Sequence, residues 1–103
     1  MTTPRLAPAD RTRDLLAVAL ELAAASGWRT LTRDAVAAAA GVSGGLVTQR
    51  LGTMDALRRS VMRKAVADRC VAVVAEGLVA GDKHARKADE SLVKAAQEWM
   101  ARK

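Results

Sequence analysis

Between residues 32 and 53 the chain reads TRDAVAAAAGVSGGLVTQRLGT, and no other stretch narrows the choice of fold so far. Arg33 to Ala40 carries little side-chain bulk beyond its first residues, so a helix there lets a neighbour's backbone come close. Gly41 then supplies the residue type that enters the left-handed region without steric cost, as a tight turn requires. Thr32, Ser43 and Thr53 each stand just ahead of a helix-compatible run, where a hydroxyl accepts from a free main-chain N–H. The pattern predicts two short helices, 33–40 and 44–51, with a turn between them. Counting from Arg33, a helix-turn-helix needs a small residue at the fifth position, Gly at the ninth and a branched aliphatic at the fifteenth. Ala37, Gly41 and Val47 stand there.

The flanks read as helix too. Leu15, Leu16, Ala19, Leu20, Leu22 and Ala23 recur at helical spacing up to Ser26, capped at the start by Asp10 or Thr12 and stopped by Gly27, with Trp28 folding back as core. A long fourth helix is expected from Met54 to about Val79, carrying Leu57, Val61, Met62, Ala65, Val66, Cys70, Val73 and Val74 at helical steps. Gly81-Asp82 and the polar stretch GDKHARK read as a break, and a fifth helix as spanning Ala88 to Ala101. Only 2% of residues are aromatic, with no Phe or Tyr, while Ala, Leu and Arg abound, so strand formers are scarce. The fold expected is all-α: a three-helix helix-turn-helix domain over residues 10–52 behind a flexible arm at 1–9, then residues 53–103 as a long helix and a short C-terminal dimerisation helix.

The chain has a net charge of +6, concentrated toward one end: residues 1–70 hold 11 Lys/Arg against 6 Asp/Glu, residues 71–103 hold 6 against 5. A basic surplus beside a helix-turn-helix suggests a polyanionic partner. The single cysteine, Cys70, excludes an internal disulfide and is expected buried and inert. No long apolar run marks a membrane span and no apolar leader is visible, which fits a cytoplasmic protein. His84 is the lone histidine. Neither a metal-ligand spacing nor a nucleophile–base pairing is present, so an enzyme, a metal or a cofactor is not expected.

Residues 11 to about 66 resemble the DNA-binding domain of TetR-family transcriptional regulators. Gly27, Thr32, Val36, Ala37, Ala40, Gly41, Val42, Ser43, Gly45, Val47, Asp55 and Leu57 sit where that family's pattern places such residues. The chain departs from it at Thr48, Gln49, Arg50 and Leu51, where the family has Tyr-x-His-Phe, and at Met54, where the family has Lys. The resemblance implies a sequence-specific regulator of transcription that binds double-stranded DNA through the recognition helix 44–51. The residues assigned to DNA are Thr32, Arg33, Ser43, Gly44, Gly45, Leu46, Thr48, Gln49 and Arg50. Gly44 and Gly45 let the helix end approach the duplex and offer main-chain N–H groups to phosphate. Gln49 suits adenine, and Arg50 suits guanine or phosphate.

Arg5, Arg11 and Arg13 are further candidates for phosphate or minor-groove contacts. A homodimeric repressor on a palindromic operator is the reading taken, with Val73, Val74, Leu78, Leu92 and Trp99 as the dimer surface, on the ground that a small monomer cannot cover them all. With one helix after the fourth, an enclosed pocket for a small-molecule effector is not expected. The alternative is an interaction module that pairs with or antagonises a longer TetR-like regulator without binding DNA itself.

Overall fold

The computed structural model describes residues 8–102, with side chains from residue 11 onward. Residues 1–7 of the expected arm, Arg5 among them, lie outside the described residues. Among those described there are seven helices: α1 (Pro8–Ser26), α2 (Arg33–Ala40), α3 (Gly44–Leu51), α4 (Met54–Ala67), α5 (Val71–Ala80), α6 (Lys83–Arg86) and α7 (Glu90–Arg102). The all-α expectation holds. Because α1 already begins at Pro8, Asp10 and Thr12 lie within the helix and not ahead of its first turn. No helix of the described residues is long and apolar enough to cross a membrane.

The hydroxyl caps fall where the sequence puts them. Thr32 Oγ1 accepts from Ala35 N at 3.1 Å, Ser43 Oγ from Leu46 N at 3.1 Å and Thr53 Oγ1 from Ala56 N at 3.2 Å. Each bond satisfies a donor that the first helical turn leaves free. Gly41 closes α2 at φ 70° and ψ 35°, and Val42 N then donates to Ala37 O at 3.0 Å. That left-handed residue followed by a bond back to the last turn ties off the open carbonyls of α2. Val36, Val47, Leu57 and Val61 are fully or almost fully buried, so α1–α4 share one core with Leu15, Ala19 and Trp28. Trp28 is core, as expected, and its indole Nε1 donates to Arg58 O at 3.0 Å, pinning the α1–α2 connection to α4.

The expected long fourth helix is two helices with a corner between them. α4 ends at Ala67, Arg69 takes φ 56°, and Cys70 N donates to Ala65 O at 2.7 Å. The composition of α5 accounts for the bend. Its segment VAVVAEGLVA has apolar residues on every side, and continued straight from α4 it would carry them into solvent. Folded back, it buries Val73, Val74, Ala75 and Gly77 against α4, α6, α7 and α1. A non-glycine residue in the left-handed region costs about 1–2 kcal/mol, less than the burial of two valines contributes at about 1.5–3 kcal/mol each. Cys70 consequently lies at the N-cap of α5, half-buried, and not within a longer helix.

The polar stretch read as a break contains the short α6, whose Ala85 is fully buried. Gly77 makes this seating possible: a Cβ there would overlap Met62 Cε and come within 2.9 Å of Ala85 Cβ.

Candidate nucleic-acid interface

α3 carries two kinds of face. Val47 and Leu51 are buried and fix its inner side against the core. Gly45, Thr48 and Gln49 are exposed on the opposite side, with Ser43 exposed at its start. Leu46 and Arg50, one turn apart, lie half-buried along the flank, and Arg50 Nε is buried with no hydrogen-bond partner. The polar outward surface of this helix is therefore centred on Thr48 and Gln49, with Arg50 to one side of it.

The N-terminus of α2 meets this face. Arg33 Nη1 donates to Thr48 Oγ1 at 3.1 Å, and Arg33 Nε lies 3.9 Å from Asp34 Oδ1. The bond from Arg33 occupies one acceptor position of Thr48 and leaves its own O–H as a donor. The two glycines at the start of α3 occupy different surroundings. A Cβ on Gly44 would come within 3.4 Å of Arg33 Nε, so Gly44 lies under the path of the arginine across to α3. A Cβ on Gly45 would meet nothing but its neighbour Ser43 Oγ at 3.9 Å, so Gly45 faces open space.

Of the residues assigned to DNA from sequence, Thr32, Arg33, Ser43, Gly45, Thr48 and Gln49 are exposed together on α2 and α3. Thr32 and Ser43 use a lone pair on their caps and retain their O–H groups. Beside this surface, Leu31, Thr32, Arg33, Asp34, Met54 and Arg58 line a shallow cleft between α2 and α4. Met54, at the place where the TetR pattern has Lys, is half-buried there. Arg11 and Arg13 stand on α1.

Nothing in the local sequence singles out Glu76. Its carboxylate accepts from Trp28 N at 2.6 Å and from Arg29 N at 2.8 Å, so α5 holds the connection that leads into α2. The expected dimer surface needs correction. Val73, Val74 and Leu92 are buried within the single chain, because α5 folds back and α7 packs on it. The premise that one copy cannot cover them fails, while Leu78 and Trp99 are half-buried and Val79 is 65% exposed.

A family model described as bacterial regulatory proteins, tetR family, matches residues 15–61, the span from α1 through the first half of α4. No curated protein and no solved structure matches the chain. Residues 15–61 thus match the DNA-binding unit of the tetR family of bacterial regulatory proteins, which supports a DNA-binding regulator of transcription in general.

Proposed function

We propose that the protein is a homodimeric repressor that reads a palindromic operator with α3 in the major groove. The observation that supports this most is the exposed set Gly45, Thr48 and Gln49 on a helix whose opposite side is locked by Val47 and Leu51. A rigid helix with two hydrogen-bonding side chains on its free face is what base-edge readout requires. Gln49 pairs with adenine through its amide, and Thr48, oriented by Arg33, donates to a phosphate or a base acceptor. Gly45, without a side chain, lets the helix N-terminus come close to the backbone. Thr32, Arg33 and Ser43 hold phosphates at the groove edge, and Gly44, Leu46 and Arg50 complete the contact from the flank.

One such unit makes few base contacts, so two are joined by symmetry, with half-sites about 34 Å apart along the duplex. Occupying a promoter then blocks transcription. The test is a mobility-shift titration with the DNA upstream of the protein's own gene at two salt concentrations. A sequence-selective shift that weakens steeply with salt is expected, with Gln49→Ala losing about tenfold to a hundredfold at the best site. A dimer that binds no DNA in preference to any other sequence would turn the reading to an interaction module acting on a longer relative.

A further inference from the structure

Four basic side chains converge on an open cleft of about 330 Å³ between α4 and α6, on a surface that the operator contacts leave unused. Arg59 and Arg63 stand one turn apart on α4, Lys83 and His84 lie on α6, and Ser60 joins them; no carboxylate is among the lining residues. The rest of α4 treats its cations differently. Arg58 Nη1 lies 3.6 Å from Asp55 Oδ1, and Lys64 Nζ lies 3.0 Å from Asp68 Oδ2. Among the described residues Arg59, Arg63 and Lys83 have no such partner. Like charges one turn apart destabilise a helix, and here a third cation, Lys83, is brought against them from a second element beside the His84 ring.

That second element is firmly held. Ala85 is fully buried, Asp82 Oδ2 accepts from Ala85 N at 3.0 Å, and the bare backbone of Gly77 admits both Ala85 and Met62.

We propose that this cleft binds a multiply charged phosphate anion. Two guanidinium forks offer paired donors that match phosphate oxygens, Lys83 adds a point charge, and the Ser60 hydroxyl supplies a neutral donor. Two sources present several phosphate charges to one cleft: successive, singly charged phosphodiesters of DNA running past the operator, and a free phosphorylated molecule. The inference does not rest on the operator reading, because the first arm of its test contains no DNA.

In that arm the full chain is titrated with pyrophosphate by calorimetry at fixed ionic strength, against the variant Arg59→Gln/Arg63→Gln. Both side chains are exposed and repel each other, so the variant is expected to unfold at no lower a denaturant concentration than the wild type; Lys83→Gln, on the other helix, gives a second and independent removal of charge. The expected result is saturable one-site binding that weakens at least tenfold in both variants. The second arm measures the salt dependence of DNA binding. A slope lower by about two in the double variant assigns the cleft to DNA phosphates, whether pyrophosphate binding is absent or is lost in the variants. An unchanged slope with pyrophosphate binding assigns it to a free anion. Pyrophosphate binding that survives both variants, or no binding together with an unchanged slope, overturns the proposal.

Discussion

Asp89 shows how much one exposed side chain organises. Ser91 Oγ donates to its Oδ1 at 2.6 Å, Leu92 N donates to the same oxygen at 2.9 Å, and Arg69 Nη1 donates to Oδ2 at 2.9 Å. Three donors on the charged form, Ser91 first among them, lower its pKa from 3.8 to about 2. Between those values the unfolded chain binds more protons at this residue than the folded one, so the contribution is complete above about pH 4 and is lost as the pH falls toward 2. Denaturant titrations at pH 5, 3.5 and 2.5 should show stability falling through that window, and Asp89→Asn should flatten this part of the profile. An identical slope in wild type and variant would remove Asp89 from the account. Glu76 makes the complementary case at a half-buried position. Its two oxygens take two consecutive N–H groups of the α1–α2 connection, and an amide offers one acceptor where the carboxylate offers two. Glu76→Gln should lower the unfolding free energy by about 1–3 kcal/mol with an unchanged denaturant slope. A shift within about 0.5 kcal/mol of zero, the scatter of ordinary surface changes, would mean that water replaces the lost acceptor.

At the level of elements, two glycines inside helices answer opposite demands. At Gly77, α5 crosses α4 and α6 so closely that a methyl group would collide with Met62 and Ala85, both fully buried. At Gly45 a methyl group would point into open space. Alanine improves an exposed helical position by up to about 1 kcal/mol, whereas overfilling a packed crossing costs about 1–3 kcal/mol. Gly77→Ala should therefore lower the denaturation midpoint and Gly45→Ala raise it. If Gly45 meets DNA, the second variant should also bind its operator more weakly while folding more stably, a pairing that a simple turn glycine would not give. The contrast also bears on what a sequence can reveal. The caps at Thr32, Ser43 and Thr53, the turn at Gly41 and the buried Val47 are legible because each depends on neighbours within a few positions. The α4–α5 corner is not: Asp68-Arg69-Cys70 contains neither Gly nor Pro, and the bend is imposed by the burial that α5 gains after it. The role of Glu76 is equally hidden, since its partners lie 47 and 48 residues away.

For the whole molecule, the proposed dimer needs a surface that the fold leaves outward. The chain is elongated, 44 × 24 × 22 Å, and α5 and α7 pack on each other. Counting apolar positions suggests Val73, Val74 and Leu92 for the dimer; the fold commits them to its own core. Still outward on these helices are the half-buried Val71 and Leu78, two turns apart on α5, the exposed Val79, and Trp99 on α7, which lines a shallow groove with Val71 and Ala95. Two predictions separate the core from the proposed interface. Val73→Asp places a charge among fully buried side chains and should unfold the chain, with loss of far-ultraviolet helical signal. Leu78→Glu/Val79→Glu should keep the helical signal and convert a dimer to a monomer in light scattering at micromolar concentration. The same double variant should bind a single half-site as before yet lose more than about tenfold on the full operator, because the second contact is no longer held at high effective concentration. A variant that remains dimeric would place the partner on another surface. A wild-type chain that is itself monomeric would instead require the two half-sites to be filled independently, and the shift would then rise with a concentration dependence of one chain per site.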